Sequence, residues 1–473
     1  MRAWRVQHEL EIVRELTTFL AIPNIASDAP NIERNAGAIV EMFSRRQIEA
    51  RTLRIAGAPP LIVADMRAPG ATRTIAFYAH YDGQPVDPSQ WRSAPWQPEL
   101  RDAAGVRVDQ PAKLDPEWRL YARSSSDDKA AIVGLLAALD AIRTAHLTPH
   151  VNVKFVFEGE EEAGSPHLAA YLAKFADDLH ADAWLLCDGP VHQSRRVQIV
   201  FGARGTTDLE LTIYGPMRPL HSGHYGNWAP NPIVMLTHLL DSMRDEEGRI
   251  LIDGYYDDVR ALTAAEKEAL AAVPDADDAL RHELGLARTE GSGKTLKEQI
   301  LLPAINVRGI SSGHVGAQAS NTIQSEAHAS IDLRLVPAET PESVRARVER
   351  HIEKQGYFLV KTPPDLATRL AHPRIAMLAW GAGYPPGRTS MDLPFSREVV
   401  AIMTAALGSM PIRMPTLGGS VPMYLFEGRE HTPVLILPIA NHDNNQHAAN
   451  ENLRLQNLWD GIEIYAALMA ELK

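Results

Sequence analysis

Five groups of acidic and imidazole side chains carry the chemistry this sequence could perform: His80-Tyr81-Asp82, Asp127-Asp128-Lys129, Glu160-Glu161-Glu162, Asp188-Gly189 and His447. Each lies at the end of an apolar, strand-like run. The carboxyl ends of strands are where open α/β sheets build their sites, so these residues are expected to converge on one pocket. Two imidazoles with several carboxylates form a donor set for zinc-like divalent ions, with enough nitrogen and oxygen for two of them. The chemistry implied is that of a two-metal hydrolase.

Taken singly, each group has an ordinary reading. A hydrogen-bonded loop histidine accounts for His80, although it could equally bind a metal through one ring nitrogen while Asp82 holds the other. Asp127-Asp128 precedes an Ala- and Leu-rich helix, so an Asp N-cap competes with a carboxylate bridging two cations about 3.5–4 Å apart. A charge run such as Glu160-Glu161-Glu162 usually marks a solvated face. This one directly follows the apolar run VKFVF and closes with Gly164-Ser165, so one acid can bind metal while its neighbour moves protons. Crowded carboxylates raise one another's pKa unless cations neutralise them. Asp188 ends the run AWLLC as a turn-former or a ligand, and His447 lies in HDNNQHAANEN with His442 as a rival. Their joint occurrence in this order decides for a site.

The elements that must position these groups alternate. Residues 4–20 form an amphipathic helix, 61–66 and 74–81 strands, 129–144 a helix, 150–157 a strand, 167–179 a helix and 183–187 a strand. That alternation predicts an α/β fold with a mostly parallel sheet flanked by helices. The pattern changes near residue 203: strands at 207–214, 327–336 and 357–361 and helices at 232–243 and 341–355, the last capped by Thr340, make a small two-layer α/β module. Residues 381–388, with two prolines, return the chain, and a helix at 396–407, a strand at 432–439 and a helix at 453–472 complete the first unit. The expected division is a discontinuous domain of residues 1–204 and 389–473 with 205–388 inserted.

The chain has 473 residues, 45% hydrophobic and 22% charged, and a formal charge of −12 without a long basic run. These values fit a soluble globular protein and exclude nucleic acid and anionic membranes as natural partners. The single cysteine, Cys187, allows no intrachain disulfide. The longest apolar stretch, residues 130–139, is far too short for a membrane span. The charged beginning has no signal-peptide core, which points to the cytoplasm, with the periplasm as the alternative for a processed chain.

The order and local context of the motifs resemble, end to end, the di-zinc exopeptidase family of carnosinase-like dipeptidases, aminoacylases, and acetylornithine and succinyl-diaminopimelate deacylases. The resemblance implies that His80 and Asp188 bind one metal, Glu162 and His447 the other, and that Asp127 bridges them. It implies that Asp82 orients His80, and that Glu161 is the general base for a water activated by the two ions. It further implies a cis peptide after Asp127. The ions would be zinc first, with manganese or cobalt as alternatives. The inserted module resembles the family's lid and dimerisation domain. His221, in Leu220-His221-Ser222-Gly223, matches a histidine that reaches across a homodimer to the substrate carbonyl, assisted by Asn321. Arg334 in DLRLVP matches an arginine that grips the substrate carboxylate, and Gly418-Gly419-Ser420 brings donors to the same end.

Two departures from the family pattern bear on function. Ala122-Arg123-Ser124 stands where relatives have a Gly-Arg-Gly turn, and Leu417 stands where carnosinase-like dipeptidases place an acid near the substrate's free amine. The expected activity is metal-dependent hydrolysis of dipeptides or short peptides with a free carboxylate. Leu417 motivates an alternative, an N-acyl-amino-acid deacylase with the same site. A non-catalytic dimeric homologue is the remote third reading.

Overall fold

The computed structural model describes residues 1–428 and 431–473. In chain order, the strands of its two main sheets begin with β1 Ala50–Leu53, β2 Leu61–Met66, β3 Thr74–His80, β4 Asn152–Glu158, β5 Ala183–Leu186 and β6 Gln198–Val200. β7 Gly205–Tyr214, β8 Ala304–Ser311, β9 Glu326–Leu335, β10 Phe358–Val360 and β11 Ile375–Trp380 follow, then β12 Ile412–Met414 and β13 Val434–Ile436. The helices that matter most are α1 Arg2–Leu20, α2 Ala29–Arg45, α3 Lys129–Thr144, α4 Pro232–Met243, α5 Pro341–Lys354, α6 Pro394–Leu407 and α7 Leu455–Glu471.

The large sheet has the order β1-β2-β4-β3-β5-β13-β6-β12. Its centre is parallel, β4 with β3, β3 with β5 and β5 with β13, as is the β6–β12 pair. Its helices cover both faces, so the fold is the α/β arrangement the alternating pattern predicts. β3 shows why the strand is apolar throughout: Ile75, Phe77 and Ala79 face the core under α1, α3 and α7, while Ala76 and Tyr78 face a second core with Trp184 and Phe426. α3 is buried along almost its whole length, which its Ala and Leu content allows.

The parallel register aligns the chemistry. His80 pairs with Glu158 across to β4, and Tyr78 pairs with Leu186 across to β5. His80, the Glu160-Glu161-Glu162 turn and Asp188 therefore leave three adjacent strands at one level of the sheet.

The second sheet has the order β8-β9-β7-β11-β10. Leu209, Ile331 and Leu333 pack against Leu236 of α4 and Val344 of α5. Strand alternation then puts Asp332 and Arg334 on the opposite face. The chain crosses between the sheets along neighbouring paths, with Gly387–Arg388 pairing against Gly202–Ala203 and Tyr384 bridging Thr206.

Some elements depart from the pattern reading. The helix expected over 167–179 is two, Leu168–Lys174 and Ala176–Leu179, because Phe175 leaves helical geometry (φ −116, ψ 38) with its ring stacked on Tyr171. The pattern reading contains neither α2, β8 nor β11. α2 carries a start signal in its Asp28 N-cap, which accepts from Asn31 N, followed by Pro30. β8 is an exposed edge strand without apolar alternation, and the short apolar run of β11 suits helix and strand equally. No described helix is long and apolar enough to cross a membrane.

Candidate metal centre

Two triplets of donors share one carboxylate: His80, Asp127 and Asp188 on one side, and Asp127, Glu162 and His447 on the other, with ligand atoms in each triplet within 4.8 Å of one another. His80 Nε2 lies 3.0 Å from Asp127 Oδ1, and His447 Nε2 lies 3.2 Å from both Asp127 Oδ2 and Glu162 Oε2. A carboxylate that offers one oxygen to each of two groups of ligands has the geometry of a bridge between two cations. All five residues read from the sequence as ligands come together. His442, the rival to His447, belongs to neither triplet.

Asp82 organises both sides. It is fully buried, and its two oxygens accept the backbone N–H groups of Glu161 and Glu162, each at 3.0 Å. Its Oδ1 also lies 3.3 Å from His80 Nδ1. One side chain thus fixes the turn that carries Glu161 and Glu162 and faces the second nitrogen of His80.

The three consecutive glutamates have separate environments. Glu160 turns away and accepts from the backbone N–H of His167 at 2.9 Å. Glu162 faces His447 and accepts from Gln84 Nε2 at 2.7 Å. Glu161 lines the pocket. Asp128 occupies the N-cap position of α3 but does not cap it with its side chain; one oxygen instead accepts from His80 N at 3.3 Å. The Asp127–Asp128 peptide is cis.

A buried network absent from the sequence reading holds the bridging loop. Glu451, fully buried, accepts from Ser126 N, Ser126 Oγ and Asp127 N through one oxygen, at 2.9, 2.9 and 3.0 Å. Its other oxygen accepts from Arg123 Nη1 at 2.7 Å and Ser124 N at 2.8 Å. Glu451 lies in the same NQHAANEN loop as His447, whose own backbone is held at φ 61. This one carboxylate therefore ties the Asp127 loop to the His447 loop. Ser124 also has a positive φ, 61, where the family pattern has glycine. Its Oγ accepts from Asn24 Nδ2 at 2.8 Å and sits against Gly83, where a Cβ would collide with it. The non-glycine turn is thus accommodated by its neighbours.

Electrostatics favour cations here. Burial and the charges of Asp127 and Glu162 push Asp188 up to about 7. Burial, then Asp188 and Glu162, raise Glu161 well above its ordinary range. Hydrogen bonds to Asp127 and Glu162 raise His447 to about 10, and those of His447 and His80 hold Asp127 below the usual carboxylate range despite its burial. So many acids cannot ionise together in one buried cluster without positive charge among them, which the donor set is built to take. The residues fit two divalent ions.

These groups open on a cavity of about 730 Å³, ample for a dipeptide-sized ligand. Arg334 and the Gly418-Gly419-Ser420 loop line it, and Arg334 Nη1 donates to Ser420 Oγ at 2.8 Å while Nε pairs with Asp332 at 2.9 Å. Tyr384 also lines it, unassigned in the sequence because it sits in the proline-rich return segment. Leu417 lines the wall with Ile300, Leu296 and Leu280. His221 and Asn321 do not line this cavity. His221 ends one strand of the short ribbon Leu220–His221 with Thr322–Ile323, Asn321 directly precedes the other, and both residues are exposed.

Comparison with known proteins agrees with this geometry. The profile of peptidase family M20/M25/M40 matches residues 76–471. The chain is similar to the Cys-Gly metallodipeptidase of Schizosaccharomyces pombe, 24% identical over 98% of this chain and 95% of that protein. It is also similar to human Beta-Ala-His dipeptidase, 25% identical over 92% of this chain and 81% of that protein. Among solved structures, the M20 family metallo-carboxypeptidase Sso-CP2 from Sulfolobus solfataricus superposes with a TM-score of 0.80 at 27% identity, covering 98% of this chain and 99% of that one.

Proposed function

The chain belongs to peptidase family M20/M25/M40, and from that premise we propose that it hydrolyses the amide bond of dipeptides or short peptides with a free carboxylate. The observation that carries this reading is Asp127 shared between two donor triplets, with Glu161 and Arg334 facing the same cavity. The dipeptidase names of the S. pombe and human relatives support the substrate class.

Two divalent cations would supply Lewis acidity to polarise the scissile carbonyl and to make a water acidic enough to lose its proton near neutral pH. His80 and Asp188 would hold one, Glu162 and His447 the other, and Asp127 both; the nitrogen and oxygen donors suit zinc, with manganese or cobalt able to replace it. Glu161 takes the proton from the attacking water and delivers it to the leaving nitrogen. Arg334, with Ser420 and the Gly419 backbone, receives the substrate carboxylate and sets the scissile bond over the centre. Residues 205–388 serve as lid and dimerisation unit. The exposed His221 and Asn321, outside their own chain's cavity, complete the partner's oxyanion site in a homodimer; exposed Trp228 and Val315, 80% and 90% accessible, support an interface on this module.

A second reading, N-acyl-amino-acid deacylation, is favoured by one observation: the apolar Leu417 lines the cavity beside Ile300. A panel of dipeptides with free and acetylated amino ends separates the two. Cleavage confined to the acetylated set rejects the dipeptidase. Glu161→Gln tests the mechanism in either case: metal uptake is retained and turnover falls by at least about 10³-fold. Near-normal turnover would remove Glu161 from its role.

A further inference from the structure

A second cavity, of about 350 Å³, lies against the metal pocket and shares Asp277, Leu280, Leu296 and Ile300 with it. Leu284, Leu286, Pro303 and Ile305 give it a largely apolar wall. Its acids are already engaged. Glu290 pairs with Arg244, Glu247 with Arg288, and Asp277 accepts from Leu296 N at 2.7 Å.

Two cations there have no carboxylate partner among the described residues, the exposed Lys294 and the half-buried Arg204, and only Arg204 also holds the loop beside the metal pocket. Arg204 lines this cavity and not the metal pocket. Its Nε donates to Gly418 O at 3.0 Å and its Nη1 to Leu302 O at 3.2 Å. Nη2 has no acceptor, and no carboxylate pairs with the guanidinium, among the described residues. Burial and nearby Arg334 pull Arg204 down to about 10, against the opposing charge of Asp332. The Arg204 backbone N–H also donates to Gly419 O at 3.3 Å, so the residue holds two successive carbonyls of the loop that presents Ser420 to Arg334.

We propose that this cavity is a second anion site, which binds a carboxylate on an apolar stem through Arg204. Two sources have that chemistry: the side chain of an acidic C-terminal residue of the substrate, reaching past Ile300, and a separate short-chain carboxylate. Either would be sensed by the Gly418-Gly419-Ser420 loop. The first source rests on the dipeptidase reading; the second does not.

The experiment compares the metal-loaded wild type with Arg204→Gln and Leu286→Glu. Leu286 is 45% exposed, so its replacement leaves the core intact while placing a competing carboxylate in the cavity. Hexanoate binding is measured by calorimetry, and kcat/KM for Ala-Glu, Ala-Gln and Ala-Leu by product release. If the substrate supplies the carboxylate, Ala-Glu exceeds Ala-Gln by at least about tenfold, and both variants lose the preference. If a separate ligand does, the three peptides are alike, and hexanoate binds the wild type but neither variant. Absence of both effects, or hexanoate binding that survives both substitutions, overturns the proposal. Failure to cleave any peptide with hexanoate binding intact would sink the dipeptidase reading and leave this site standing.

Discussion

Replacing Glu451 by glutamine removes one formal charge and changes almost no volume, yet the hydrogen-bond network predicts a large effect. Every group facing this carboxylate is a donor: three backbone N–H groups, the Ser126 hydroxyl and Arg123. The amide must turn its NH₂ toward one set of them. Turned to Arg123 and Ser124 N, it leaves a guanidinium that is 2% exposed without its counter-charge. Turned the other way, it opposes Ser126 N and Asp127 N, and only the hydroxyl can rotate to accept. Breaking a buried ion pair from one side costs about 3–5 kcal/mol, which lowers Tm by about 3–5 °C in a chain of 473 residues. The loosened loop carries Asp127, so affinity for the metals also falls, by about 10–100-fold, as for other residues that orient ligands. The assay is calorimetric Tm together with metal content per chain and kcat at graded metal concentration. Excess metal restores most of kcat but not Tm, because the ligands themselves are intact. A glutamine variant with wild-type Tm and wild-type metal uptake would refute the reasoning, and the position of Glu451 would then be incidental.

Chelation by EDTA abolishes hydrolysis, and adding back Zn²⁺, Mn²⁺ or Co²⁺ restores it with two ions per chain by elemental analysis; activity that persists in metal-free protein would contradict the role of the two triplets. Arg334→Lys keeps the charge but loses the fork shared with Asp332 and Ser420, so KM for a free-carboxylate dipeptide rises about tenfold with kcat little changed, while C-terminally amidated peptides show no difference between the two proteins. Glu266 pairs with Arg260 and with the buried Arg388, and although burial opposes it, these partners hold it down at about 2. Its folded value lies below its unfolded one, so its stabilisation is present above about pH 4.5 and is lost as pH falls toward 2. Glu266→Gln therefore lowers stability at pH 7 by about 1–2 kcal/mol after screening and flattens the acid limb of a Tm-against-pH curve; an unchanged acid limb would remove the pair from that role.

The local sequence determined the elements and the chemical inventory. Apolar runs of strand length ending in acids or histidine located β3, β4 and β5 with His80, the Glu160-Glu161-Glu162 turn and Asp188, because both the period of burial and the donor type of a side chain are properties of short segments, whereas the choice of Asp127, Glu162 and His447 as ligands came from the family resemblance. Which acid of a cluster does what was not written there. Glu160, Glu161 and Glu162 are chemically equal in the chain, and only the turn fixed by Asp82 sends one to His167, one to the cavity and one to His447. Asp128 has every local mark of an N-cap, and β3 gives it a different partner. Glu451 and Arg204 were illegible for the same reason: one of two acids in a polar loop and one arginine beside a glycine gain their meaning from groups hundreds of residues away. Arg204 reaches Gly418, and Glu451 reaches Asp127, only because the parallel register and the paired crossings between the sheets bring those segments together. Local patterning depends on each residue's own polarity and reach, whereas partners depend on topology, and topology is set by the whole chain burying its apolar surface at once.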